Sequence, residues 1–222
     1  MKTRVEAVLT GTSDGLIENG VQSAIVKRAV HGACWLACDG LTGDQQADRT
    51  AHGGFERALS HYPAEHYAQW RAQYVDRAEA FEIGALGENI ATYGLTEADV
   101  CVGDMFYLGT ATLQVAQPRQ PCWKPASRTG VPDLTRAMAE QGRAGWFYRV
   151  LTPGWIVPGD TLRRFECGNS ALTLDRIWHL INAAGEPSDG IRAELSAMAE
   201  IVELAPEWRR RAARKASRAS GG

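Results

Sequence analysis

The stretch Gln117-Pro118-Arg119-Gln120-Pro121-Cys122-Trp123-Lys124-Pro125 sets one cysteine between two cations, Arg119 and Lys124, on a chain stiffened by three prolines. Each proline fixes its own φ, so the backbone here is largely preset. Nearby positive charge favours the thiolate, the form of cysteine that reacts and that binds metals. The same residues also suit a structural thiol, because free cysteine is often only a small buried hydrophobe. Residue types alone leave both open.

A second cluster is His52-Gly53-Gly54-Phe55-Glu56-Arg57-Ala58-Leu59-Ser60-His61-Tyr62. Paired glycines let a backbone approach a ligand closely, and exposed N–H groups suit an anion. Arg57 can add a bidentate phosphate contact. His52 and His61 belong with this candidate site, or else they only tie a loop together. His66, on a predicted helix, reads as structural. His61 and His66 are five apart, a poor same-face spacing, and the chain has five histidines, so no zinc site is expected. The run Gly87-Glu88-Asn89-Ile90 offers Asn89, whereas Gly103-Asp104 reads as turn chemistry. Lys124 and Arg149 join the candidates on charge alone. Cys34 and Cys38 have no matching second pair and are expected in the core.

The elements that must hold these residues are mostly short strands. Strands are predicted at 3–9, 24–30, 104–108, 111–116, 146–151 and 161–165, the third and fourth joined by a turn at Gly109-Thr110. Gly and Pro punctuation between them points to a β-barrel or sandwich. Helices are predicted at 63–75, with Tyr67, Trp70 and Tyr74 on one face and Pro63 in the first turn, and at 133–141, with Asp133 as N-cap. After Cys167 the period changes. Leu174, Ile177, Trp178 and Ile181 mark one amphipathic helix, Ile191, Leu195, Met198 and Val202 a second, and Pro206 opens a third. The division expected is a β domain over 1–167 and a three-helix auxiliary unit over 170–222 that stays out of the candidate site.

Composition sets the outer limits. Of 222 residues, 45% are hydrophobic and 23% charged, an ordinary globular balance. A net charge of −2 gives no field that would draw the chain to nucleic acid or an anionic membrane. The basic residues from Arg209 to Arg218 read as a solvated helix face. No apolar run reaches the ~18–20 residues that span a bilayer, and no signal-peptide core follows Met1, so a cytoplasmic location is expected. The odd set of five cysteines should then be free thiols.

Taken in order, Gly40-Leu41-Thr42-Gly43-Asp44, His52-Gly53-Gly54, Arg57-Ala58, His61-Tyr62-Pro63, Gly87-Glu88-Asn89-Ile90, Gly103-Asp104 and Gln117 through Cys122 resemble the MOSC domain. More narrowly the chain is similar to the bacterial YiiM-type proteins, whose MOSC domain is followed by three helices. The resemblance implies a mainly β (α+β) fold, a barrel with peripheral helices, and a molybdenum cofactor of the molybdopterin type. It implies that Cys122 is the molybdenum ligand and the catalytic residue. His52, Arg57, His61, Asn89 and Arg119 fall in the motif segments that line the cofactor pocket. Such a pocket needs arginines, backbone amides and a few side-chain hydrogen bonds, and a soft thiolate suits molybdenum already held by dithiolene sulfur.

Two functions follow from the resemblance. One is a reductase that converts N-hydroxylated compounds, such as 6-hydroxylaminopurine, to amines as a detoxification step. The chain carries no Gly-x-Gly-x-x-Gly fingerprint and no cysteine set for an iron–sulfur cluster, so its electrons would come from a separate flavoprotein. The other is a carrier of the cofactor, or of persulfide sulfur on Cys122, without turnover of its own. A third reading keeps Cys122 as a structural thiol in a barrel that binds some other small ligand.

Overall fold

The computed structural model describes residues 1–17, 20–45 and 53–218. In chain order its strands are β1 (Lys2–Thr10), β2 (Leu16–Ile17), β3 (Val21–Gln22), β4 (Arg28–Ala29), β5 (Cys34–Ala37), β6 (Gly40–Leu41), β7 (Leu59–Pro63), β8 (Ile90–Thr92), β9 (Met105–Leu108), β10 (Ala111–Pro118), β11 (Trp146–Thr152), β12 (Gly154–Ile156) and β13 (Thr161–Glu166). The helices are α1 (Glu65–Gln73), α2 (Trp123–Thr129), α3 (Leu134–Gln141), α4 (Leu174–Asn182), α5 (Asp189–Ala199) and α6 (Pro206–Ala216).

Seven strands run in the order β13-β9-β10-β11-β7-β8-β1, and β1 returns to β13 through Lys2↔Arg163 and Arg4↔Thr161. That last pairing closes the barrel and removes the free edges an open sheet would present. Every pairing around the ring is antiparallel except β7 with β8. The β9–β10 hairpin turns at Gly109, where φ is +55° and a Cβ would lie 2.1 Å from the Trp155 carbonyl oxygen. Only glycine fits there, so this turn is written directly in the sequence. A smaller sheet, β12-β5-β6, and the β2–β3 ribbon flank the barrel.

Alternation along the strands decides which residues fill the barrel. Leu59, Val115, Trp146, Tyr148 and Phe106 are fully or nearly fully buried in one core. The helical C-terminal region does not stand apart from it. Leu174, Ile177 and Trp178 of α4, Leu195 and Met198 of α5 and Trp208 of α6 belong to the same continuous cluster. Backbone bonds stitch the region to the rest of the fold, among them Leu174 N–H to Val100 O (2.8 Å), Asp175 N–H to Glu97 O (3.0 Å) and Ala205 N–H to Ala116 O (3.0 Å). A second core, around Tyr62, Trp70, Phe81, Leu134 and Met138, lies under α1 to α3.

Several expectations need correction. Residues 24–30 form turns, with only Arg28–Ala29 as strand, because Ser23 Oγ accepts the Ile25 N–H (3.2 Å) and folds the chain back. The first helix begins at Glu65; Pro63 ends β7 instead, paired with Thr92. Asp133 does sit at the N-cap of α3, but its side chain makes no capping bond. Val202 lies beyond α5 and is 70% exposed. The prolines after Gln117 do not keep the chain out of a helix: α2 starts at Trp123, and Pro125 falls in its first turn, where the missing N–H costs nothing. Cys34 is buried as expected, but Cys38 is exposed.

Candidate functional site

Ser60 of β7, Phe147 of β11 and Gln117 of β10 stand side by side across three neighbouring strands, in register Phe147↔Ser60 and Gln117↔Phe147. Together they floor a cavity of about 290 Å³. Its walls come from the 23–27 turn, from Asp44 and Gln45, from Arg57, and from Gly87 and Asn89 just before β8. The segment from Pro118 to Cys122 with Lys124 closes one side, and Glu207 and Trp208 of α6 close another.

The structure thus brings Arg57, Asn89, Arg119, Cys122 and Lys124 into one cavity. Cys122 is half-buried and takes an extended backbone (φ −117°, ψ 175°) immediately before α2. Its carbonyl accepts a hydrogen bond from Thr135 Oγ1 (3.0 Å), which ties the cysteine to the start of α3. Gly87 keeps φ at +80°, and a Cβ there would come within 2.6 Å of the Ile25 side chain. This part of the cavity wall therefore requires glycine.

Two candidates lie elsewhere. His61 follows Ser60 on β7, so alternation turns it into the barrel interior instead. There Nδ1 meets the Tyr148 hydroxyl (3.0 Å) and Nε2 the Thr92 hydroxyl (2.9 Å), and the ring packs on Trp146. Burial without a charged partner holds its pKa down at about 3, so the ring is neutral. Arg149, two residues along from Phe147, is engaged by Glu56 (2.6 Å), Gln114 Oε1 (3.0 Å) and the Glu203 carbonyl (2.5 Å). It fastens β11 to the helical region. His52 lies outside the described residues. His66 is buried against Glu97 (2.8 Å), as a structural histidine should be.

Sequence reasoning missed three contributors. Lys27 and Asp44 form an ion pair with side chains only 6% and 3% exposed. Asp44 also accepts the Gly11 N–H (2.7 Å) and Asn89 Nδ2–H (2.8 Å). Asn89 itself is held by Ser60, whose N–H and Oγ–H both donate to Asn89 Oδ1 (3.1 and 2.8 Å), and it donates to the Leu9 carbonyl (3.1 Å). It therefore braces the wall through a closed set of bonds. Burial pulls the Lys27 pKa down, opposed by the nearby Asp44 carboxylate. The third is the Glu207 and Trp208 wall, which corrects the expectation that the helical unit stays out of the site. Asp44 was visible within a motif, but nothing in the sequence linked it to Lys27, and no signal pointed to Glu207.

Among the described lining residues four basic side chains, Lys27, Arg57, Arg119 and Lys124, face two acidic ones, Asp44 and Glu207. Arg119 spends one guanidinium nitrogen on the Leu86 carbonyl (2.6 Å); its Nη1 is buried with no hydrogen-bond partner among the described residues. Gln117 Oε1 is in the same position. Buried polar atoms are rarely left so, and a donor and an acceptor in one wall call for a polar ligand. A phosphate-bearing pterin, with ring N–H groups, a carbonyl and an anionic tail, matches that donor set. A soft thiol beside it matches a thiophilic metal. Among the described residues no group of His, Cys, Asp and Glu forms an all-protein metal site, and no helix is long and apolar enough to cross a membrane.

Comparison with known proteins gives consistent results. The MOSC domain pattern matches residues 48–163. Protein YiiM of Escherichia coli (strain K12) is 46% identical over 137 residues, 62% of this chain and 61% of that protein. A protein named Reductase in Gibberella moniliformis (strain M3125 / FGSC 7600) is 38% identical over 153 residues, 68% of this chain and 27% of its own length. The matched stretch thus spans about three fifths of the first relative and about a quarter of the second. The crystal structure of YiiM from Geobacillus stearothermophilus superposes with a TM-score of 0.78 at 30% identity, covering 97% of this chain and all of that one.

Proposed function

The chain belongs to the MOSC domain family, and from that premise we propose that it is a molybdenum-cofactor oxidoreductase that reduces N-hydroxylated compounds to amines. The observation that carries this reading is the gathering of Cys122 with Arg57, Arg119 and Lys124 in one cavity whose wall holds unpartnered buried polar atoms. A fungal relative bearing the name Reductase adds support for the reaction class.

When bound, the cofactor would supply two-electron redox chemistry; the protein supplies orientation, charge and exclusion of water. Cys122 Sγ would hold the metal. In this reading Arg119 and Gln117 would engage the polar pterin, and Arg57 and Lys124 would neutralise its phosphate. Lys27, held by Asp44, keeps a proton-bearing amine at the wall, where conversion of a hydroxylamine to an amine and water consumes protons. His61 and Arg149 have structural duties instead. Electrons would come from a separate flavoprotein, and the place of action would be the cytoplasm. Within this reading, residues 1–167 form the catalytic barrel and those from 170 an auxiliary unit that also walls the cavity.

The test is protein made in a cofactor-competent host and assayed for molybdenum and for conversion of 6-hydroxylaminopurine to adenine with a flavoprotein donor. Turnover that disappears in Cys122→Ala supports the reductase. Full molybdenum content with no turnover from any donor, and transfer of cofactor to an apo-enzyme, would make it a carrier.

A further inference from the structure

Two cysteines that are not among the described lining residues of the cavity lie where the barrel hands over to the helical region. Cys101 opens the tight turn that leads into β9, closed by the Asp104 N–H on the Cys101 carbonyl (3.1 Å). Cys167 directly follows β13, whose Glu166 stands opposite Met105 of β9.

One carboxylate gathers the two segments. Asp104 is fully buried and accepts the Cys101 N–H (3.0 Å), the Gly168 N–H (2.8 Å) and the Arg164 guanidinium (2.7 Å). The chain after Cys167 then folds back along the turn. Asn169 N–H donates to the Val102 carbonyl (3.0 Å) and Val102 N–H to the Leu172 carbonyl (3.2 Å), while Cys101 pairs with Thr173 in an antiparallel bridge. A Cβ on Gly168 would lie 2.2 Å from the Val102 carbonyl oxygen, and one on Gly103 would lie 3.4 Å from the Gly168 Cα. Glycine on both sides lets the two backbones touch. A disulfide needs Cα atoms within about 7 Å, the scale of neighbouring segments in backbone contact.

The surroundings of the two thiols differ. Cys167 is exposed, whereas Cys101 is buried at 9% exposure. Burial pushes the Cys101 pKa up, and the nearby Asp104 carboxylate and Cys167 thiol add to the rise, against Arg164. Thiol oxidation follows exposure, so an oxidant meets Cys167 first, with a second sulfur close behind it.

We propose that Cys167 is an oxidation site for hydroperoxides and that Cys101 is its resolving partner. With hydrogen peroxide, the Cys167 sulfur attacks one oxygen and the O–O bond breaks. Sulfenic acid forms on Cys167, and the first water leaves. The Cys101 sulfur then attacks the Cys167 sulfur and the S–O bond breaks. The departing hydroxide takes the Cys101 proton as the second water. Two thiols thus lose two electrons and two hydrogens, and one peroxide becomes two waters. The new bond fastens the link between β13 and α4 to the turn before β9, and so clasps the helical region to the barrel. A thiol reductant reverses it, as suits a transient disulfide in a reducing compartment.

The experiment treats reduced full-length protein with a small excess of hydrogen peroxide, as parent, Cys101→Ser and Cys167→Ser, and maps its peptides by mass spectrometry. The parent should yield a Cys101–Cys167 linked peptide, lighter by two hydrogens and lost on adding dithiothreitol. In Cys101→Ser the sulfenic acid has no resolving thiol, so dimedone should label Cys167 several-fold more than in the parent. In Cys167→Ser, Cys101 should stay reduced at the same dose. The parent's peptide map decides the pairing by itself should the buried Cys101→Ser change disturb folding. A parent whose Cys167 takes up dimedone as fully as Cys101→Ser, with no linked peptide, overturns the proposal. So does a bridge from Cys167 to any other cysteine, Cys122 included, or a Cys101 that oxidises equally without Cys167. No outcome depends on a bound cofactor, so the reading of the cavity is judged separately.

Discussion

The cavity contains two ion pairs that differ in almost every respect except their charges. Lys27–Asp44 is sealed, and its carboxylate is also the anchor for a backbone amide and for Asn89. Arg57–Glu207 is partly open and joins the barrel to a helix from the far end of the chain. A sealed pair tied in by further hydrogen bonds is architecture, because removing either partner leaves the other buried without its counter-charge. An open pair is a switchable contact, because water can replace either partner. The same cavity can therefore keep its shape while one of its cations changes hands.

The largest effect should come from neither pair. Cys122→Ala removes the one thiol among the described lining residues, and molybdenum content should drop to background while the melting temperature stays near the parent's. Metal analysis paired with calorimetry checks this; an Ala variant that stays loaded would refute Cys122 as ligand. Behind the cavity floor, His61 should govern acid stability and not ligand affinity. Its folded pKa of about 3 lies below the ordinary 6.5, so the folded state disfavours the proton. Stability is full above pH 6.5 and is lost as pH falls through the window down to about 3, because the unfolded chain protonates first. The shift corresponds to at most ~5 kcal/mol. Denaturant midpoints at pH 7 and pH 4 should converge in a His61→Gln variant that retains cofactor. A parent-like acid slope in that variant would show that other groups dominate.

Ser60 and His61 also show where the sequence could and could not be read. The motif segment was identifiable, and so was its place near the site. Which of two neighbours faces the ligand depended on strand register, which residue types do not specify. The β9–β10 hairpin was legible because its turn glycine and alternating strands are local. Helix α2 was not, since Pro121 and Pro125 signal a break equally well as they signal a first turn. Lys27 with Asp44, and Arg57 with Glu207, are contacts across 17 and 150 positions. Only closure of the barrel and docking of α6 create them. The three helices were foreseen from their stripes, but their shared core with the barrel was not. Cutting the chain after Cys167 would remove Leu174, Ile177 and Trp178 and expose the barrel residues they share a core with, so intact-chain substitutions are the sounder probe.

The sealed pair gives the next largest effect. Asp44→Ala leaves Lys27 buried without the carboxylate that favours its charge, and frees Asn89 and the Gly11 amide at once. A loss of about 3–5 kcal/mol is expected, with the cavity wall disordered as well. Chemical denaturation measures the first and cofactor retention the second. A destabilisation as small as that of Glu207→Gln would erase the distinction between the two pairs.

The smallest effect separates the two arginines that the cofactor reading treats alike. Arg119 has a buried Nη1 without a partner among the described residues, so a ligand that bonds it gains a charge-assisted contact with nothing displaced. Its replacement by alanine should cost about 1.5–3 kcal/mol of cofactor affinity. Arg57 must first release Glu207, so its net gain is the difference between two charge-assisted bonds. Arg57→Ala should cost clearly less, roughly 1 kcal/mol or below, since an exchanged ion pair yields only the surplus. Cofactor release rates, followed by pterin fluorescence in the parent and the two alanine variants, give the comparison. If Arg57→Ala is as costly as Arg119→Ala with Glu207 intact, the glutamate does not compete, and the two ion pairs of this cavity are both architectural.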